Sequence, residues 1–397
     1  MIRPRSEQDC GAYCFAKEKR NMTQKEAGKR IEEIDEKIKQ LFAERLEASK
    51  TANETLTKSE IIQKSRRYER SYLSSLDSSN SLIDNYERVL FSTMFNLSHS
   101  YRNTEYGTRT DLADKIKAAL ENTPKELPKS PMVACQGIEG AYSQIATDKI
   151  FRHANIMYFR TFDGVFQAVE SGLCEYGVLP IENSSYGSVT QVYDLMVGHN
   201  FHIVKDYKLR ISHKLLANHG AKLEDIREVY SHNQAIGQCS KFLKEHPDIK
   251  VNIVENTAVA AKSVADSGRT DVAAISSADC QMLYGLESLS DEIQNTDNNY
   301  TRFICITKEL MIFPGASKTS IMLALGHTPG ALADTLAKFS SLGLNLTKIE
   351  SRPMSGKDFE FMFYLDFEAS VYSEEVITLL CELDAEPTEF AYLGTYI

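Results

Sequence analysis

The stretch Asn122-Thr123-Pro124-Lys125-Glu126-Leu127-Pro128-Lys129-Ser130-Pro131 separates two incompatible hydrophobic patterns, and that break limits the chain to a multidomain fold. Its prolines deny a continuous helix and its lysines deny a core, so it reads as a linker. Before it, Ile31, Ile34, Ile38, Leu41, Phe42 and Leu46 recur at helical spacing, and further helical runs cover Lys58 to Leu76 and Leu82 to Tyr101. Three helices without a strand predict an all-α unit. Their narrow apolar stripes leave a face for a second copy, and a dimer or tetramer is expected.

A short helix, Asp111 to Glu121, leads into the linker. Beyond it, the strand-like runs Met132 to Gln136, Tyr176 to Ile181, Val251 to Val254 and Val272 to Ile275 each precede a helical segment, which predicts α/β architecture. The last segment reads strand (Thr319 to Ala324), helix (Pro329 to Ser341), strands (Asn345 to Arg352 and Phe359 to Phe367), helix (Ser373 to Cys381) and strand (Pro387 to Tyr392). That is the order of a ferredoxin-like βαββαβ unit. The expected divisions are an aperiodic, disordered extension over 1–21 with Met22 as an alternative start, a helical domain over 22–105, a linker over 106–130, an α/β domain over 131–309 and a βαββαβ domain over 318–397.

The chain has 397 residues and a formal net charge of −10, which argues against a general binder of nucleic acid or anionic membranes. No apolar run is long enough to span a bilayer. Met1 to Arg20 is charged and has no apolar signal core, so a cytoplasmic location with the eight cysteines as reduced thiols is expected. Cys10 and Cys14 form the only close pair, and no metal is expected.

Two polar clusters adjoin strand-like runs. Thr301-Arg302-Phe303 opens the alternating run Thr301 to Thr307, and Pro180-Ile181-Glu182-Asn183-Ser184-Ser185 closes the run from Tyr176. Both put hydroxyls, an amide and charges at strand edges, where α/β proteins build sites. Singly, each has a plain reading: Asn183-Ser184-Ser185 and Asn256-Thr257 as helix caps, His232 as a loop histidine, Arg302 as a strand-edge charge, Gly137 and Gly140 as an ordinary βα turn. With Gly137-Ile138-Glu139-Gly140-Ala141-Tyr142-Ser143, Ser231-His232-Asn233-Gln234 and Glu255-Asn256-Thr257, they form five motifs in order between Pro131 and Lys308. In that order they resemble the prephenate dehydratase family.

The resemblance implies a two-lobed α/β domain, like that of periplasmic binding proteins, that turns prephenate into phenylpyruvate without metal or organic cofactor. The substrate loses a ring carboxyl as carbon dioxide and a hydroxyl as water, so the enzyme needs hydrogen-bond donors for the remaining carboxylate and a proton for the departing hydroxyl. Ser143, Asn183, Ser184 and Thr257, expected after strands and at helix N-termini, form the carboxylate cradle. Arg302 offers a forked donor to the same anion. Tyr142, His232 and Gln234 complete the substrate pocket. Proton donation goes to the Thr301/Glu182 pair: Thr301 is marked by the resemblance, and Glu182 would be the stronger acid if burial raises its pKa. Asn233 stands where the family has proline, and Lys214 follows His213 where it has cysteine.

Gly330-Ala331-Leu332 and Glu350-Ser351-Arg352-Pro353 resemble the ACT regulatory domain, which implies phenylalanine as an allosteric effector bound at those residues; Ala333 replaces a usual β-branched residue. Ile34-Asp35-Glu36-Lys37-Ile38 and Leu41-Phe42-Ala43-Glu44-Arg45 resemble the helical chorismate mutase domain of bifunctional enzymes. Arg45, Glu69 and Ser98 fall on mutase positions. Gly28, Leu56 and Tyr68 stand where cations are expected and Arg102 where glutamine is, with Lys29, Arg30, Lys58 and Arg67 close by. The implied mutase is impaired. The other readings are a fully bifunctional enzyme that also takes chorismate, an arogenate dehydratase, an amino-acid sensor without catalysis, and a solute-binding module.

Overall fold

The computed structural model describes residues 23–51, 58–76, 82–106, 110–354, 360–385 and 389–397; the expected extension and Leu56 lie outside them. The chain divides into two compact units, Met1–Glu105 and Tyr106–Ile397.

The first unit is helical: Gln24–Thr51, Lys58–Ser75 and Leu82–Tyr106, the last ending at the unit boundary. Thr23 and Glu26 form a reciprocal capping box at the first N-terminus, with Thr23 N donating to Glu26 Oε2 at 2.8 Å and Glu26 N to Thr23 Oγ1 at 3.3 Å. Phe95 is buried among Tyr68, Tyr72 and Phe91. By contrast Ile31, Ile34, Ile38 and Leu41 stay exposed along one helix, and Leu82, Ile83, Tyr86, Val89 and Leu90 along another. A helix face this apolar calls for a cover.

The second unit holds three sheets. The first lobe orders Asn155–Phe159, Met132–Gln136, Tyr176–Asn183, Tyr300–Thr307 and His202–Arg210, with the short strand Gly187–Ser188 pairing off Tyr176–Asn183. The second lobe orders Glu287–Ser290, Lys214–Ala217, Val272–Ser276, Glu228–Ser231 and Lys250–Ile253. The chain passes between lobes twice, through 211–213 and 291–299, and these connectors are tied where Ile211 N donates to Asn299 O at 2.8 Å. The helices begin as their sequences dictate: Thr161, Asn256 and Ser277 accept from Gly164 N, Val259 N and Cys280 N.

The third sheet orders Leu346–Pro353, Phe361–Phe367, Lys318–Ala324 and Phe390–Tyr396, antiparallel throughout, with helices Ala331–Ser341 and Glu374–Asp384 between strands. This is the ferredoxin-like βαββαβ order. Ile321, Leu323, Leu365 and Phe367 pack under its helices, while Met322, Met362, Tyr364 and Tyr396 on the other face pack on Phe166, Tyr193 and Ile203 of the first lobe. Gly394 lies against the backbone of Ile203: with φ +138°, an added Cβ would fall 2.4 Å from Ile203 O. Helix Asp111–Asn122, within the segment expected as linker, packs with this layer: Ile116 is fully buried, Lys117 pairs with Glu374 at 3.3 Å, and Ile312 N donates to Thr123 Oγ1 at 2.9 Å.

Candidate active site

Strand alternation decides which of the expected residues can meet. In strand Tyr300–Thr307, Thr301 pairs with Asn183 and Arg302 with Glu182, so the two pairs point to opposite faces of the sheet. The register shifts between Arg302 and Phe303, leaving Ile181 as the extra residue of a bulge.

On one face Asn183 is the centre. Its Oδ1 accepts from Ser185 N at 2.9 Å and Tyr186 N at 3.0 Å, an Asx turn that fixes which side-chain atom is the oxygen. Its Nδ2 therefore donates, to Asn299 Oδ1 and Thr301 Oγ1 at 2.9 Å each, with Tyr300 O at 3.2 Å. Thr301 accepts that bond and keeps its own hydrogen for something else. Behind Asn183, Gln238 Nε2 reaches Asn183 Oδ1 and Asn299 Oδ1, each at 3.5 Å, so its Oε1 faces His213 Nε2 at 2.7 Å. That orientation puts the proton on Nε2. His213 Nδ1 lies 3.3 Å from Tyr142 Oη, which donates to Ser212 O at 2.7 Å. Burial lowers the His213 pKa, against a smaller upward pull from Gln238, and raises that of Tyr142 well above its ordinary value. Both stay neutral near pH 7.

The chain Tyr142–His213–Gln238–Asn299–Asn183–Thr301 thus links the two lobe connectors to the strand edge by neutral groups. Asn299 is 1% exposed and its Nδ2 has no partner; Gln294, whose Oε1 accepts from His213 N at 3.0 Å, likewise leaves a buried Nε2 unpaired.

The remaining expected residues divide. Ser143 and Thr257 are buried in the first turns of helices Tyr142–Ile150 and Thr257–Ser267. The turn at Gly137, φ +110°, brings the two loops together, since an added Cβ there would lie 3.7 Å from Asn256 Nδ2. Asn183 and Ser184 are not at a helix N-terminus; they end a strand and enter the Asx turn. Ser184 Oγ is occupied by Tyr300 N at 2.9 Å and Asn298 O at 3.0 Å. His232 caps helix Asn233–Gln238, accepting from Gln234 N at 3.4 Å. Gln234, expected in the substrate pocket, is exposed, and the glutamine one turn later, Gln238, is the buried one that joins the network. Tyr186 folds across the lobes to Gly237, where a Cβ would meet its Oη at 1.8 Å.

Arg302 and Glu182 are the clear departures. Arg302 is turned away from Thr301 and gives its fork to Asp366 Oδ2 at 2.6 Å, Tyr396 Oη at 2.6 Å, Asp206 Oδ2 at 3.0 Å and Glu182 Oε1 at 3.4 Å. Lys348 lies 3.2 Å from Glu182 Oε2. Four of the five N–H donors of Arg302 are engaged there and its side chain is 8% exposed, so it faces this joint and not the side of the sheet that carries Thr301. The presumed acid and the forked cation lie in the joint with the βαββαβ layer because adjacent strand residues face opposite ways.

The expected effector residues split by the same rule. Glu350 pairs with Tyr364 and Arg352 with Met362, on the face packed against the first lobe, where Glu350 accepts from Ser188 Oγ at 2.5 Å and Arg352 grips Asp194 at 2.7 and 2.9 Å. Ser351 and Pro353 point to the opposite face of this edge strand and are exposed. Gly330, with φ +92°, precedes helix Ala331–Ser341, so Ala331 and Leu332 form its first turn. In the helical unit Arg45 contacts Ser98 and lies over Phe95, while Glu69 meets His99 Nε2 at 2.7 Å and Arg102 meets His99 Nδ1 at 2.6 Å. Tyr68 is exposed, and Gly28 has open space around it. Among the described residues no group of three His, Cys, Asp or Glu gathers to hold a metal, and no helix is long and apolar enough to cross a membrane.

A two-lobed α/β domain with a chain of neutral polar side chains at its lobe junction is the class that geometry defines, and the comparisons name the family. Residues 133–310 match the family described as prephenate dehydratase. The chain is 42% identical over 276 residues to Arogenate dehydratase/prephenate dehydratase 2, chloroplastic, of Arabidopsis thaliana, covering 66% of this chain and 72% of that protein. It is 35% identical over 275 residues to the bifunctional chorismate mutase/prephenate dehydratase of Escherichia coli strain K12, covering 68% and 71%. A solved prephenate dehydratase from Arthrobacter aurescens, in complex with L-Phe, superposes with a TM-score of 0.62 at 27% identity, over 67% of this chain and 89% of that one. The chain belongs to the prephenate dehydratase family.

Proposed function

We propose that the chain is a prephenate dehydratase, releasing carbon dioxide and water from prephenate to give phenylpyruvate on the way to phenylalanine. The observation that carries this is the hydroxyl of Thr301, held by Asn183 as an acceptor and so left free to donate. In the reaction the bond to the ring carboxyl carbon breaks, its electron pair enters the ring, and the ring C–O bond breaks. The oxygen takes its own pair and one proton and leaves as water. Thr301 donates to that oxygen, and Glu182, on the other face, takes no part. Ser143, Thr257 and the open amide of Asn299 hold the surviving carboxylate, with helix N–H dipoles behind the first two. Neutral donors solvate the departing carboxylate less well than cations or bulk water would, which favours losing its charge as carbon dioxide.

Purified full-length chain with prephenate tests this by phenylpyruvate formation; no turnover with prephenate or arogenate overturns it. A second reading is arogenate, the same ring with an amine for the ketone, because a relative at 42% identity carries both names. The ratio of kcat/KM for the two substrates chooses between them.

The βαββαβ layer is an ACT domain that binds phenylalanine and inhibits turnover, a reading supported by its topology and by the L-Phe complex of the Arthrobacter protein. Gly330, Ala331, Leu332, Ser351 and Pro353 are the ligand side of the motif; Glu350 and Arg352 are its contact with the first lobe. The helical unit is a chorismate-mutase-like dimerisation element of impaired activity, since Gly28 and Tyr68 supply no cation and its exposed isoleucines suit a second copy. The six described cysteines are free buried thiols, which suits the cytoplasm.

A further inference from the structure

The strand that carries Thr301 is also the floor of a buried charge network. Arg302 is 7% exposed and holds four partners, two of them, Asp366 and Tyr396, in the βαββαβ layer. Ser320 braces both, donating to Asp366 Oδ1 at 2.5 Å and lying 2.7 Å from Tyr396 Oη. Asp206 is bound from the other side by Lys318 Nζ at 2.9 Å. Lys348 reaches Glu182 at 3.2 Å, Ser188 Oγ at 2.7 Å and Glu350 at 3.5 Å. Glu182 and Arg302 are the chain neighbours of Asn183 and Thr301, the pair whose 2.9 Å contact aims the Thr301 hydroxyl. Between the two strands the ladder is bulged at this point, so backbone pairing alone does not set their spacing.

We infer that Arg302 is a positioning residue: its grip on Asp366 and Tyr396 sets Thr301 against Asn183, so turnover depends on how the βαββαβ layer sits on this strand. The inference rests on the dehydratase reading and deepens it. A buried guanidinium with four partners cannot relax into solvent when one charge is removed, so it moves toward the remaining acceptors and takes its strand with it. A displacement of that kind acts mainly on the chemical step, because Ser143 and Thr257, which hold the substrate with Asn299, start helices outside these two strands.

The test is Asp366→Asn, which keeps the shape and removes the charge, in the full-length chain. We expect kcat to fall by about 10²-fold with KM near wild type, and faster amide hydrogen exchange in Tyr300–Thr307 and Tyr176–Asn183 with the helices Ala331–Ser341 and Glu374–Asp384 unchanged. Asp366→Glu should recover part of the rate. Unchanged kcat in folded Asp366→Asn, or exchange rising evenly across the βαββαβ layer, overturns the inference. Should Asp366→Asn fail to fold, Tyr396→Phe, which removes one oxygen from the same guanidinium, carries the same readouts. If wild type turns over neither prephenate nor arogenate, the dehydratase reading falls, while exchange in the two strands still decides whether Arg302 positions them.

Discussion

Replacing Thr301 with valine keeps the β-branched shape that suits strand Tyr300–Thr307 and deletes only the hydroxyl. The cost to folding follows from its partners. Asn183 Nδ2 loses Thr301 Oγ1 but retains Asn299 Oδ1 at 2.9 Å and Tyr300 O at 3.2 Å, so no donor is orphaned. The penalty is then one ordinary hydrogen bond, about 0.5–1.5 kcal/mol, or a Tm shift of about 2–4 °C per kcal/mol for a domain of this size. The cost to catalysis is larger. Removing a positioned proton donor lowers rate by about 10²–10⁴-fold, equivalent to ~2.7–5.5 kcal/mol of barrier. Initial rates of phenylpyruvate formation at low and saturating prephenate should show the loss in kcat with KM little changed, because the deleted group acts in the transition state. Thr301→Ser should recover most of the rate. A valine variant keeping more than about a tenth of wild-type kcat would remove Thr301 from the proton-donating role.

Gln238→Leu should lower kcat while leaving the fold intact, since it cuts both the His213 bond and the reach to Asn183; activity equal to wild type would make the buried network a structural feature only. Burial holds His213 below its ordinary pKa, so between that lowered value and about 6.5 the unfolded chain binds more protons than the folded one. The corresponding stability is present above about pH 6.5 and lost as pH falls; His213→Gln should flatten the fall in Tm between pH 7 and 5, and an unchanged slope would assign it to other groups such as His202 and His232, which burial also lowers. Deleting 1–105 should change the oligomeric state measured by light scattering and spare prephenate turnover, whereas deleting 1–122 should cost stability because it strips Ile116 from its buried place. Full-length chain with chorismate should turn over far below the usual enzyme range of about 1–10³ s⁻¹; a rate within it would refute an impaired mutase.

The architecture was legible wherever one period ran long. The helical run from Lys25, the strand Met132 to Gln136 and the βαββαβ order of the last segment appear within a few residues of their expected bounds, because apolar spacing and proline breaks act locally. Asn183 and Thr301 were legible as polar residues ending or opening strand-like runs. Arg302 and Glu182 were misplaced although the remedy was in the sequence: neighbours in a strand point opposite ways, so Thr301 and Arg302 cannot serve one cleft. Gln238 and Asn299 left a fainter mark. Gln238 lies in a short helix behind a more conspicuous glutamine, and Asn299 lies in an irregular connector whose path only the two-lobed packing sets. His213 is a lone histidine in that same junction, and nothing local distinguishes it from a core histidine.

The period-two alternation of Tyr300–Thr307 has a consequence for how such a chain can change through inheritance. A one-residue insertion upstream of Thr301 in this strand would exchange its two faces at once, sending the guanidinium into the cleft and the hydroxyl into the domain joint. The proposed catalytic hydroxyl and the attachment of the βαββαβ layer are therefore a single heritable unit within this strand. On the proposed phenylalanine reading, variants that escape inhibition while keeping turnover should accumulate at Glu350 or Arg352, whose contacts are Ser188 and Asp194 and not the strand that holds Thr301.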